Sequence, residues 1–123
     1  MPHNASNWAN YLREREGKFV LERSEGFAIY TFIEKYCYIE DIYVAPEFRG
    51  SNVLPELMQE ITTLALSKGY KWLLGSVDTK DKRASQNMAI HLHYGFKVLH
   101  NDSSLTYFQL EISPTTVFSR KEQ

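Results

Sequence analysis

Cysteine is almost missing from this chain: Cys37 is the single example, so no intrachain disulfide is available to it. Long apolar runs are missing too. None approaches the roughly 18 residues that a bilayer-crossing helix needs, which excludes a helical membrane span. The first residues lack the charged-then-apolar profile of a secretory leader, and with a lone thiol this points to a reducing cytoplasm. Charge of one sign is in no excess. Fourteen Lys plus Arg stand against fifteen Asp plus Glu, a formal charge of -1, so no basic field draws the chain to phosphate backbones or to anionic membranes. Nucleic acid and membrane are therefore not expected partners. Repeats, low-complexity tracts and interior linkers are absent as well.

What the chain does have is apolar mass. Hydrophobic residues make up 43% and aromatics 14% of 123 residues, enough for one core. A chain of this size hides roughly two thirds of its unfolded surface on folding. A single domain over residues 1–113 is expected, followed by a flexible tail over 114–123 that begins at Pro114. Ala5, Trp8 and Leu12 recur at helical spacing ahead of Glu16-Gly17, which reads as a short amphipathic helix. Lys18 to Glu22, Phe27 to Ile33 and Tyr36 to Val44 are rich in β-branched and aromatic residues and read as an antiparallel meander. Between Leu54 and Ser67 the apolar residues Leu54, Leu57, Met58, Ile61, Leu64 and Ala65 return every three or four positions. This is an amphipathic helix with Pro55 in its first turn and Gly69 at its exit. Tyr70 to Val77 reads as a buried strand, Ala84 to His93 as a helix, and Phe96 to Leu99 with Leu105 to Ile112 as a closing strand pair. A strand, helix, strand passage in the middle demands parallel neighbours. The fold class is therefore mixed α/β, a mixed central sheet with helices on both faces.

A strand that runs into a tight loop and then a helix offers free amides and a positive dipole end to an anion. Here that junction is Tyr38 through Val44, then Ala45-Pro46-Glu47-Phe48-Arg49-Gly50, and Arg49 adds a full positive charge. The run Val44-Ala45-Pro46-Glu47-Phe48-Arg49-Gly50-Ser51-Asn52-Val53-Leu54 resembles the central signature of the GNAT superfamily of N-acetyltransferases, Val-x-Pro followed by Arg-Gly-x-Gly-x-Gly or Ala and a helix. Tyr94-Gly95-Phe96 resembles the family's later motif, and the likeness extends from about Phe19 to Phe108. It implies a GNAT-like fold and an enzyme that moves an acetyl group from acetyl-CoA, the cosubstrate, to an amine acceptor, either a small molecule or a protein lysine. No metal is implied: His91 and His93 stand two apart on a helix, point in different directions and have no third ligand nearby in sequence.

The resemblance assigns positions. Arg49, Gly50, Ser51, Asn52, Val53 and Leu54 would wrap the CoA pyrophosphate, the backbone of Ile42, Tyr43 and Val44 would meet the pantetheine arm, and Asn87 would touch that arm from the second helix. Two family glycines are replaced, by Asn52 and Leu54. Asn52 is expected to keep the turn because Asn tolerates positive φ, whereas Leu54 points either into the core or at the cofactor. Period-two alternation puts Tyr38, Glu40 and Ile42 on one strand face and Ile39, Asp41 and Tyr43 on the other, so one carboxylate faces the site. Glu40 stands where diamine-type members of the family carry the Glu that accepts the amine proton, with Asp41 next in line. For the acid that protonates the departing thiolate, Tyr94 ranks ahead of His93 and His91. Cys37 reads as a buried structural thiol. The region before the meander is shorter than the family's usual arm, which leaves the acceptor side open or completed by another chain, so a homodimer is allowed. The rival reading is a GNAT-fold binding or scaffolding protein with weakened cofactor use, motivated by Asn52 and Leu54.

Overall fold

The computed structural model describes residues 5–118. Helix α1 is Asn7–Glu16; Ser6 caps it by accepting from the Ala9 amide at 3.0 Å, and Gly17 ends it in the left-handed conformation at φ 67. Strands β1 (Phe19–Arg23), β2 (Gly26–Ile33) and β3 (Tyr36–Val44) form the expected antiparallel meander. A short 3-10 turn over Pro46–Phe48 leads to helix α2 (Val53–Ser67). Strand β4 (Trp72–Asp78), helix α3 (Ala84–His93), and strands β5 (Lys97–Asp102) and β6 (Leu105–Glu111) complete the order. No helix among the described residues is long and apolar enough to cross a membrane.

The six strands make one mixed sheet in the order β1-β2-β3-β4-β6-β5, parallel only between β3 and β4. Alternation along β2 assigns the faces. Ala28 and Tyr30 look into the core beside Met58, Ile61 and Ala65 of α2, while Phe27 looks the other way and meets Trp8 of α1 at 4.8 Å between ring centroids. Helix α3 shares the α2 face, because His91 lies directly over Gly75 of β4. Leu57 and Ile61, fully buried at the centre of α2, each contribute about 1.5–3 kcal/mol through burial. The α2 exit is closed by Lys68, whose N–H reaches the Leu64 and Ala65 carbonyls, and by Gly69 at φ 88.

Two findings depart from the sequence expectations. The segment expected to be a flexible tail is anchored as far as Phe118. The Gln59 side chain donates to the Thr116 carbonyl at 3.0 Å and accepts from the Phe118 amide at 2.8 Å, and the Phe118 ring is buried in the core cluster. The rest of that segment, 119–123, lies outside the described residues. The second departure is in β3. Pairing with β2 shifts between Ile29 and Tyr30, which face Asp41 and Ile39, so Glu40 is a bulged residue with no opposite number.

Candidate active-site cleft

Strands β3 and β4 pair over only three rungs, Tyr36–Trp72, Cys37–Leu73 and Tyr38–Leu74, and then separate. The opening is a cleft of about 470 Å³, walled by residues 39–44 of β3, by Leu74, Gly75 and Ser76 of β4, and by one side of α3. At the last rung the Tyr38 hydroxyl and Ser76 Oγ lie 2.7 Å apart, a side-chain bridge where the backbone ladder stops.

One end of the cleft is the loop into α2. Gly50 takes the left-handed turn at φ 80; Asn52 sits at φ -88, so the tolerance of positive φ by which Asn52 was expected to keep the turn is not called on. A single glycine makes the turn. Ser51 Oγ donates to the Phe48 carbonyl and receives the Val53 amide at 3.4 Å, while the Asn52 side chain makes no capping bond. The Arg49 side chain folds back, its Nε donating to the Val44 carbonyl at 2.8 Å and its guanidinium 5.5 Å from the Tyr43 ring centre. Arg49, Gly50, Ser51 and Leu54 all line the cleft, and Arg83 at the start of α3 adds a second cation. Leu54 does two things at once, packing on the core cluster and lining the cleft. Val53 is buried and faces away from the opening.

The carboxylates lie on β3. Because of the bulge at Glu40, strict alternation fails at this point, and both Glu40 and Asp41 line the cleft. Glu40 is paired with Lys18 at 3.0 Å, and the same ammonium reaches Glu16 at 3.1 Å. Hydrogen bonding to Glu40 first, then to Glu16, raises the Lys18 pKa. Asp41 keeps a solvent-exposed edge, yet the protein around its carboxyl raises its pKa by desolvation, opposed by a hydrogen bond from the Ile42 amide.

Helix α3 supplies Asn87 and His91, and Tyr94 follows at its C-terminal cap, while His93 is exposed and turned away from the lining. The Tyr94 ring packs edge-on against Phe118 and His93. His91 Nδ1 lies 2.8 Å from the Asn87 carbonyl, which can only accept, so Nδ1 carries the proton and Nε2 is bare. Burial lowers the His91 pKa, which keeps the ring neutral. A neutral ring with a bare Nε2 has no proton to give to a leaving group. Cys37 is buried, its thiol pushed up to about 12 by desolvation, as fits a packing residue. Sequence reasoning missed Gly75, Ser76 and Gln86 as cleft residues. The one available signal was Gly75, since a glycine inside a strand marks a close approach. Among the described residues there is no group of three or more His, Cys, Asp or Glu placed to hold a metal ion.

The mixed sheet thus splits between its two parallel strands, with a loop and a helix start at one end of the split. A sequence profile described as "Acetyltransferase (GNAT) family" matches residues 2–96, and the chain belongs to that family. The thialysine N-epsilon-acetyltransferase of Bos taurus is 36% identical over 58 residues, 47% of this chain and 34% of that protein. The chain spans about a third of the length of the curated relatives it matches. Two solved structures share the fold. The PaiA N-acetyltransferase from Thermoplasma acidophilum, in complex with coenzyme A, has a TM-score of 0.63 and 21% identity over 71% of this chain and 53% of its own. A GNAT family acetyltransferase from Elizabethkingia anophelis with acetyl-CoA bound has a TM-score of 0.61 and 14% identity over 76% and 74%.

Proposed function

We propose that the chain transfers an acetyl group from acetyl-CoA to a primary amine by direct attack of the amine on the thioester. The observation that carries this reading is the charge polarity of the cleft: Arg49, Arg83 and the start of α2 at one end, and Glu40 with Asp41 where β3 leaves β4. An anionic CoA suits the first end and a cationic amine the second.

In this reading the backbone from Arg49 to Leu54 holds the pyrophosphate, with Arg49 adding charge, and the free edge of β3 at Ile42, Tyr43 and Val44 pairs with the pantetheine arm. Asn87 touches that arm from α3. Amide formation needs the amine without its proton, and Glu40 is the group that takes it, with Asp41 beside it to attract the ammonium. Tyr94 protonates the departing sulfur. The neutral, Nδ1-protonated state of His91 supports Tyr94 over it, and the exposure of His93 does the same. Thialysine, named for the curated relatives, is the first acceptor to try.

Thermal unfolding with and without acetyl-CoA tests the cofactor end. A ligand specific for the folded state at a hundred times its Kd stabilises by about 2.7 kcal/mol. Arg49→Glu should lose most of that gain while keeping its own unliganded stability. If acetyl-CoA leaves the wild-type melting temperature unmoved, the rival reading stands, in which Leu54 at the cleft wall closes a former cofactor site.

A further inference from the structure

Lys18 is the one lysine among the described residues that is ion-paired to a carboxylate of the cleft. It follows the left-handed cap of α1, and the carbonyl of the preceding Gly17 accepts from Thr31 Oγ1 at 3.2 Å, which fixes where the Lys18 side chain departs. Thr31 is the register partner of Tyr38, on the sheet face opposite α2 and α3. Lys18 is not part of the cleft wall, and its amine therefore reaches the cleft carboxylate Glu40 from the far side of the sheet. That is the place and the pairing that an acceptor amine would take.

We propose that Lys18 is itself an acetyl acceptor, modified in cis at Nζ through the Glu40 contact. The inference rests on the acetyl-transfer reading of the cleft. In the step, the Lys18 ammonium gives one proton to the Glu40 carboxylate and the freed amine attacks the thioester carbonyl carbon. A C–N bond forms, the C–S bond breaks, and the second proton shed by nitrogen ends on the CoA sulfur. Products are Nε-acetyl-lysine and the CoA thiol, and Glu40 returns its proton to water. The raised pKa of Lys18 means that the amine is stored protonated, so the reaction speeds up as pH rises. Once acetylated, Lys18 no longer neutralises Glu40 and Glu16, and Glu40 is released to an external ammonium.

The test incubates the full chain with acetyl-CoA and no added amine, followed by intact mass and peptide mapping. A urea-denatured sample serves as the background, and a thermal shift with acetyl-CoA is run alongside. One acetyl group is expected on Lys18 ahead of the exposed Lys68, Lys71 and Lys97, at a rate independent of protein concentration. Lys18→Arg should remove it. Glu40→Gln should slow it by about a hundredfold while keeping the acetyl-CoA thermal shift. A thermal shift with Lys18 unmodified, or modified no faster than the exposed lysines or the denatured chain, overturns this inference and leaves the acetyl-transfer reading in place. Neither shift nor modification overturns both.

Discussion

Gly75→Ala places one methyl group where the structure has no room for it. A Cβ built on Gly75 lies 2.5 Å from His91 Nε2 and 2.9 Å from its Cδ2, against an ordinary contact of about 3.5 Å. The ring cannot swing aside cheaply. Its Nδ1 is held by the Asn87 carbonyl, one face stacks on Phe108 at 4.7 Å, and Phe96 meets it edge-on at 5.3 Å. Overpacking of this kind costs about 1–3 kcal/mol, and loss of the hydrogen bond adds about 1 kcal/mol. The gain from replacing a strand glycine returns roughly 0.5–1 kcal/mol. A net loss of about 2 kcal/mol is expected, which for a 123-residue chain is a fall in Tm of roughly 8 °C. The decisive assay is a double-mutant cycle in urea. Because the obstacle is a side chain, His91→Ala should absorb the new methyl, and the double variant should be more stable than the two single losses together imply by about 1.5 kcal/mol. Gly26→Ala is the contrast: its Cβ would sit 2.1 Å from the Tyr43 carbonyl oxygen, a backbone atom that no side-chain deletion removes. Additive losses in the Gly75 and His91 cycle would refute the packing argument.

His91 also sets a pH dependence. Its folded pKa lies below the unfolded value of 6.5, so the unfolded chain binds more protons between the two, and stability is complete above about pH 6.5 and declines below it. His91→Gln should flatten that decline in urea titrations at pH 5 and pH 7.5; an equal slope in both proteins would assign it elsewhere. Raised Asp41 carries the opposite sign, and the wild-type minus variant difference removes it. Glu40→Gln should lower turnover of an accepted amine at neutral pH and lose less as pH rises and free amine accumulates, so a constant ratio across pH would move the proton acceptor to Asp41. Tyr94→Phe should cut turnover by about 10²–10⁴ while retaining the acetyl-CoA thermal shift, and full turnover in that variant would end the assignment.

The local elements were legible because their signals are local. Helix α2 announced itself through a 3.6-residue apolar period with a proline at its start and a glycine at its exit, and the meander through β-rich runs separated by two-residue turns. The strand–loop–helix junction at residues 44–53 was readable in the same way, since it is built from consecutive residues. Ends were less legible: β5 runs to Asp102 rather than Leu99, an edge strand with every residue exposed and so no apolar alternation to mark it. The bulge at Glu40 was hidden for a related reason. Alternation reads a face from parity, and one inserted residue reverses parity without leaving a trace in composition. What tertiary structure alone decided are the contacts that join distant segments. They are the three-rung limit of the β3–β4 pairing that opens the cleft, the Gln59 clasp on Thr116 and Phe118, the His91 ring over Gly75, and Lys18 against Glu40. Each depends on two elements arriving at one place, and that arrangement follows from how the whole core packs, a property no single stretch of sequence carries.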